Sequence, residues 1–125
     1  MEGYAARKVH EERDTSDDGT HIIGFCHVAP SRDGDAERGM TGEITAIYVE
    51  PGAWRLGHGG KLCGVAEQEL AGRGFSRVTL WVLEKNLAAC RFYEQHGFQR
   101  DGTSKFHETS GAIEVRYGKG LRQGG

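Results

Sequence analysis

The chain has 125 residues, a length that predicts one compact domain over residues 1–125. Sixteen Lys and Arg against eighteen Asp and Glu give a formal net charge of −2, so no broad basic surface is expected and nucleic acid is disfavoured as a partner. No apolar run approaches the roughly 20 residues that span a bilayer, and the first residues lack the apolar centre of a signal peptide. We therefore expect a cytoplasmic protein without membrane association.

The cysteines and histidines are scattered along the chain. Cys26, Cys63 and Cys90 are odd in number and form no CxxC pair, which predicts buried free thiols instead of disulfides or a zinc ribbon. No HxxxH or HExxH spacing places two histidines on one face of a helix. We expect no metal site.

The first third of the chain predicts an antiparallel hairpin. Residues 5–12 have moderate strand character, and the β-branched segment 21–29 follows a polar stretch rich in turn residues. The next segment, 31–42, is charged and Gly-rich and has no apolar periodicity. It is predicted to be an exposed loop.

The middle of the chain predicts a strand, a helix, a second strand and a second helix. The apolar segment 42–51 indicates a largely buried central strand, and segment 76–84 indicates another. Between them, apolar residues at helical spacing from Leu62 to Leu70 predict a helix of about four turns. Segment 86–98 has the spacing of a short helix. The two strands are expected to be parallel neighbours.

The last part of the chain, 98–106 and 112–121, predicts a closing antiparallel hairpin. The fold class is therefore α/β (α+β): a mixed, mostly antiparallel sheet with a central parallel βαβ unit and at least two helices.

The turn before the first helix predicts a site for an anion. It joins a strand to a helix N-terminus, where several backbone N–H groups lack partners, and Gly57, Gly59 and Gly60 let phosphate oxygens approach closely. Because 20 of the 125 residues are glycine, an ordinary loop is the alternative. The spacing fits neither GxxxxGK[ST] nor GxGxxG, which disfavours a P-loop protein or an NAD-binding protein.

Two segments, in this order, resemble the GNAT superfamily of N-acetyltransferases. The first, IYVEPGAWRLGHGGKL, resembles the family's strand, turn and helix with the pattern Q/R-x-x-G-x-G/A. The second, LWVLEKNLAACRFYEQHGFQRDG, is similar to its strand, following Asn and (F/Y)YE-x-x-GF helix. The resemblance covers about residues 21–117. Trp54 stands where the family usually has Gln or Arg, and few residues precede the strand at 21–29, where relatives have elements that shape the acceptor pocket.

The resemblance implies a GNAT-like acyl-CoA N-acyltransferase fold with acetyl-CoA or coenzyme A in a V-shaped opening between the two parallel strands. It implies that the backbone of Ile47, Tyr48 and Val49 pairs with the pantetheine arm, which Asn86 also contacts. A helix N-cap is the alternative for Asn86. The pyrophosphate is expected on the backbone amides of Arg55, Leu56, Gly57, His58, Gly59 and Gly60.

The resemblance also implies direct transfer of an acetyl group to an amine acceptor, a small molecule or a protein amine, in a ternary complex. Tyr93, expected at the cofactor, matches the tyrosine that protonates the leaving thiolate; an aromatic core residue is the alternative. Glu43 matches the general base of the histone-acetylating branch; a solvated strand-end glutamate is the alternative. The alternative function is a non-catalytic acyl-CoA sensor or regulatory module.

The short stretch before the strand at 21–29 leads us to expect a homodimer. Without the elements that cover the sheet in relatives, apolar surface and a strand edge would face water. A two-fold contact between copies would cover both.

Overall fold

The computed structural model of the chain describes residues 7–10, 22–36, 39–49 and 57–121. These residues form two helices, α1 (His58–Gly72) and α2 (Leu87–Gln95). They also form six strands, which are β1 (Arg7–His10), β2 (Ile22–Pro30), β3 (Thr41–Val49), β4 (Arg77–Leu83), β5 (Gln99–His107) and β6 (Ala112–Gly120). The strands make one sheet in the order β1-β2-β3-β4-β6-β5.

The pairing of the strands confirms the predicted fold class. β1 pairs with β2 and β5 pairs with β6, both antiparallel, as the first and last predicted hairpins require. β3 and β4 are parallel and are connected through α1, which gives the predicted βαβ unit. β6 lies between β4 and β5, so the closing hairpin joins the sheet through its second strand.

α1 covers β2 and β3 with one apolar stripe. Leu62, Cys63, Ala66 and Leu70 recur at helical spacing, and all four are buried. A Cβ atom added at Gly42 of β3 would lie 2.5 Å from Leu70 Cδ2, so the glycine lets the helix approach the strand closely. Truncating a buried leucine of this kind costs about 2–5 kcal/mol of unfolding free energy. This packing fixes the start of β3.

The core occupies the face of the sheet on which α1 and α2 pack. Alternate residues of β4, Val78, Leu80 and Val82, join a core cluster with Cys90 and Tyr93 of α2. The three cysteines are buried, as predicted. Among the described residues, no helix is long and apolar enough to cross a membrane.

β3 and β4 pair only at their starts within the part of the chain that is described. The register runs Thr41 with Arg77, Gly42 with Val78 and Glu43 with Thr79. Beyond that point β3 continues to pair with β2, and β4 continues to pair with β6 as far as Leu83. The two parallel strands therefore separate after Glu43 and Thr79, giving the opening that the resemblance implies.

A bulge in β3 lies directly at this separation. His27 faces Ala46 while Val28 faces Ile44, so one step along β2 corresponds to two steps along β3, and Thr45 is the extra residue. Thr45 Oγ1 donates a hydrogen bond to the His27 carbonyl oxygen at 3.2 Å. A bulge bends its strand and increases the local twist, which turns the end of β3 away from β4.

The segment predicted to be an exposed loop packs partly on the sheet. β3 already begins at Thr41, inside that segment, and the Asp33 side chain is only 11% exposed. Two of its carboxylates, Asp33 and Asp35, bind Arg116 of β6. The ion pairs hold this part of the loop against the face opposite the helices.

Candidate active site

A cleft of about 350 Å³ opens where β3 and β4 separate. Residues 44–47 of β3 form one wall and residues 80–83 of β4 form the other, with Asn86, Ala89, Tyr93 and Glu114 completing the lining. Among the described residues, β3 and β4 form no ladder beyond Glu43 and Thr79. Backbone N–H and C=O groups on the facing strand edges are therefore available to an extended ligand, as in strand addition to a sheet edge.

The three residues expected to pair with a pantetheine arm lie at the end of β3. Ile47 lines the cleft, and its side chain packs against the core. Tyr48 is exposed and lies beside Phe25, with ring centroids 5.7 Å apart. Val49 ends the strand, paired with Gly24. Their backbone roles remain predictions.

The N-terminus of α1 retains the features of an anion site. Gly57 is the N-cap, with φ 88° in the left-handed region that favours glycine, and it makes no side-chain cap. The first helical bond runs from Lys61 N–H to the Gly57 carbonyl at 3.1 Å, so the backbone amides of residues 58–60 lack an intrahelical acceptor. No acidic residue lies in this first turn. Arg55 and Leu56, also predicted here, lie outside the described residues, as does the side chain of His58.

Gly59 and Gly60 have a packing role that sequence reasoning missed. A Cβ atom at Gly59 would lie 2.9 Å from Phe92 Cζ, and one at Gly60 would lie 2.7 Å from His96 Nε2. Both contacts are with α2 or its C-cap residue. The glycines therefore allow the two helices to approach each other, and this packing role is separate from the predicted phosphate contact.

Tyr93 lies on the buried side of α2 and forms part of the cleft wall. Its side chain is 8% exposed and contacts the rings of Phe92, Phe98 and Tyr117. Burial, assisted by the nearby Cys63 thiol, raises the pKa of Tyr93 well above its ordinary value. The hydroxyl therefore remains protonated at physiological pH. Tyr93 therefore packs in the core and also lines the cleft, so the core alternative does not exclude a position at the candidate site.

Asn86 connects the end of β4 to the start of α2. Its Oδ1 accepts a hydrogen bond from the Ala89 N–H at 3.1 Å, so the N-cap alternative is confirmed. The residue also lines the cleft. Its side-chain NH₂ group can still donate to a ligand.

Glu43 lies at the point where β3 leaves β4. Its strand neighbours Gly42 and Ile44 face the helices, so Glu43 points to the opposite face of the sheet. Burial raises the pKa of Glu43, the charge of Asp33 raises it further, and Lys105 opposes this shift. Tyr93 and Glu43 thus lie on opposite sides of the sheet at one opening.

A network of ion pairs around Arg116, which the sequence did not indicate, lies on the same face of the sheet as Glu43. Arg116 Nε donates to Asp101 at 2.6 Å, and both Nη atoms donate to Asp35, at 2.7 and 2.6 Å. Arg116 Nη1 also donates to Asp33 Oδ2 at 3.1 Å. These bonds raise the pKa of Arg116 and lower the pKa of Asp35. Two of the carboxylates lie more than 80 positions from Arg116, so no local pattern could have indicated the network.

The described residues contain no group of three or more His, Cys, Asp and Glu side chains arranged to hold a metal ion. The residues that line the cleft supply backbone groups, the Tyr93 phenol, the Asn86 amide and the Glu114 carboxylate.

Curated acetyltransferases align with about two thirds of this chain. Mycothiol acetyltransferase from Geodermatophilus obscurus is 34% identical over 83 residues, which are 66% of this chain and 27% of that protein. The uncharacterized N-acetyltransferase YuaI from Bacillus subtilis is 31% identical over 85 residues, 68% of this chain and 47% of that protein. The chain thus spans about a quarter to a half of the length of these relatives.

The fold also matches solved structures. The PaiA N-acetyltransferase from Thermoplasma acidophilum, solved in complex with coenzyme A, superposes with a TM-score of 0.64 at 20% identity, over 82% of this chain and 55% of that chain. The family model described as the acetyltransferase (GNAT) family matches residues 7–98, well over half of the sequence. With the paired motifs and the separated parallel strands, this match places the chain in the GNAT acetyltransferase family.

Proposed function

We propose that this protein is an acetyl-CoA-dependent N-acetyltransferase that acts on an amine. The observation that carries the proposal is the cleft between β3 and β4, which has Tyr93 in its wall and Glu43 beside it on the other face of the sheet. The family membership and the acetyltransferase relatives support it.

Acetyl-CoA would lie along the cleft. The pantetheine arm would pair with the backbone of Ile47, Tyr48 and Val49, as an added strand does, and would contact Asn86. The pyrophosphate would lie on the N-terminus of α1, over the amides of residues 55–60. The backbone groups left unpaired by β4 and the uncapped start of α1 support these assignments.

The reaction needs three proton transfers and the exchange of one C–S bond for one C–N bond. Glu43 accepts a proton from the acceptor ammonium, directly or through water, and the freed nitrogen attacks the thioester carbon. Backbone N–H groups of β3 stabilise the oxyanion that forms. The C–N bond replaces the C–S bond, Tyr93 protonates the leaving sulfur, and the second proton lost by the nitrogen returns to Tyr93. The net products are an N-acetylated acceptor, coenzyme A and one proton.

We extend the proposal to the setting of the protein: a cytoplasmic homodimer whose acceptor is a small-molecule or protein amine. Support for the dimer comes from two neighbouring aromatic side chains on β2 and β3, Phe25 and Tyr48, which are 36% and 49% exposed. A second copy of the chain would cover them.

Two measurements together distinguish the catalytic function from that of an acyl-CoA sensor. Release of coenzyme A is followed with a panel of alkylamines and peptides, and thermal unfolding is measured with and without acetyl-CoA. Stabilisation together with amine-dependent release of coenzyme A is the expected result. Stabilisation without release for any amine would favour the sensor, and no stabilisation would contradict the cofactor site.

A further inference from the structure

A lysine ammonium lies on an aromatic face beside the candidate active site. Lys105 Nζ is 3.9 Å from the centroid of the Trp81 ring and 4.0 Å from Asp33 Oδ1. Its side chain is 48% exposed and comes from β5, at the edge of the sheet. An aromatic face combined with a carboxylate is a common way for a protein to bind an alkylammonium group.

The surface under this lysine is fixed by hydrogen bonds, whereas the half-exposed lysine is held by a 4.0 Å ion pair and the ring contact. Trp81 Nε1 donates to Asp33 Oδ2 at 3.3 Å, and the same oxygen accepts from Arg116 Nη1 at 3.1 Å. Arg116 is itself fixed by further carboxylates and is 10% exposed. The ring and the carboxylate are therefore oriented before any ligand arrives, and the long Lys105 side chain can leave them without disturbing the strands.

The position of Trp81 connects this surface to the proposed chemistry. Trp81 lines the cleft, together with Thr45 and Glu114. It alternates along β4 with the core residues Leu80 and Val82, so it faces the same side of the sheet as Glu43. The charge of Lys105 already acts on Glu43. An ammonium group on Trp81 therefore lies beside both the cleft and the candidate base.

We propose that Trp81 and Asp33 form the subsite for the acceptor ammonium, and that Lys105 occupies this subsite in the free protein until the acceptor displaces it. The proposal rests on the proposed N-acetyltransferase function. The chemical class of the acceptor follows from the Lys105 side chain that it would replace. It is a primary ammonium on a flexible, unbranched alkyl chain, as in a linear alkylamine or a lysine side chain. Displacing Lys105 leaves Asp33 Oδ1 to the incoming cation, whose charge would also act on Glu43, as that of Lys105 does.

A binding experiment tests the subsite without requiring turnover. The chain has two tryptophans, so its tryptophan side chains give two indole N–H signals in a ¹⁵N-correlated NMR spectrum, and Trp81→Phe assigns that of Trp81. The protein is titrated with n-butylammonium chloride, with n-butanol and sodium chloride as matched controls. We expect butylammonium to shift the Trp81 signal, and the controls to leave it in place.

Lys105 variants then test the displacement. Lys105→Met is expected to lower the midpoint of the butylammonium titration by about 2- to 30-fold, the range of one cation–π contact. Lys105→Arg keeps the internal cation and should titrate like the wild type. Arg73→Met removes one positive charge at the far end of α1 and should leave the midpoint unchanged. Equal midpoints for the wild type, Lys105→Met and Arg73→Met would overturn the proposal, as would the same shift with butanol.

Kinetics supply a second readout. Trp81→Leu should raise the KM for a linear alkylamine at least fivefold, while the KM for acetyl-CoA stays within about twofold. A folded Trp81→Leu variant with an unchanged amine KM would contradict the subsite. If no amine is acetylated by any variant, the proposed function fails, and the NMR titration still decides whether the ammonium subsite exists.

Discussion

Burial raises the pKa of both candidate catalytic side chains, and the chemical consequence differs between them. It raises the pKa of Tyr93, which keeps the phenol protonated at physiological pH. It also raises the pKa of Glu43, which makes its carboxylate a better proton acceptor than a solvated glutamate. Burial thus keeps Tyr93 in the protonated form that a proton donor needs, and it makes Glu43 a better proton acceptor.

Replacement of Tyr93 by Phe tests the acid. The ring and its contacts with Phe92, Phe98 and Tyr117 remain, so stability and the affinity for acetyl-CoA should change little. Turnover should fall by about 10²- to 10⁴-fold because the thiolate loses its proton donor. Steady-state kinetics with thermal unfolding as the control measure both quantities. Wild-type turnover under conditions where chemistry limits the rate would leave Tyr93 as a packing residue.

The pH profile tests Glu43. A base must be ionised to act, so kcat/KM should rise with pH through the raised pKa of Glu43, giving an acid limb above the ordinary value of 4.5. Glu43→Gln should lower the rate and remove this limb. A limb unchanged in Glu43→Gln would assign it to another group.

The raised pKa of Glu43 also predicts the direction in which Glu43→Gln changes the free energy of unfolding. A carboxyl whose pKa is raised by folding stabilises the fold below its unfolded-state pKa, and this contribution is lost as pH rises through the folded-state value. At pH 7 the wild type carries an unfavourable ionised carboxylate, so Glu43→Gln should be at least as stable in urea unfolding. A loss of stability would indicate that the carboxylate is needed by the fold.

At the scale of elements, the start of α1 serves both helix packing and the proposed phosphate site. Substitutions at Gly59 or Gly60 would strain the contact with α2, so loss of cofactor binding there would have two explanations. Gly57 avoids this ambiguity because a Cβ atom added there has nothing within 4 Å. Its positive φ is tolerated by Asn and Asp better than by other side chains.

Gly57→Asp and Gly57→Asn therefore form a matched pair. A negative charge at a helix N-terminus stabilises the helix by about 0.3–1 kcal/mol, so the Asp variant should unfold no more easily than the Asn variant. It should bind coenzyme A at least about tenfold more weakly, because the charge repels the pyrophosphate. Isothermal titration measures the two affinities. Equal affinities would move the pyrophosphate away from this turn.

Local sequence patterns were sufficient to predict the helices and strands, but they could not predict the contacts between residues far apart in the chain. The spacing of Leu62, Ala66 and Leu70 predicts α1 because helical periodicity can be recognised from residues that are close in sequence. The binding of Arg116 to Asp33 joins positions 83 apart, and the packing of Gly59 against Phe92 depends on how two helices cross. Neither leaves a local signal. The contacts of Trp81 with Lys105 and Asp33 could not be predicted for the same reason, since these partners come from β5 and from the segment before β3.

At the scale of the whole molecule, the proposed dimer can be tested directly. Sedimentation at micromolar concentration should give twice the mass of one chain, and Tyr48→Lys should shift the protein to the monomer by placing a charge in the covered patch. Lys85→Glu, on an exposed turn after β4, serves as a control for surface charge. A stable, active monomer at these concentrations would contradict the dimer.

The short ladder between β3 and β4 also affects how the molecule moves. The sheet consists of two half-sheets, β1-β2-β3 and β4-β6-β5, and the described strands connect them through just three register pairs. α1 contacts both sides of this seam, through β3 and β4, and resists its opening from one face. The seam is therefore where the free protein should open most easily, and those amides of residues 44–49 that face the cleft have no partner on β4 and should exchange quickly. A cofactor that bonds to this strand edge would slow that exchange and make the two halves unfold as one cooperative unit.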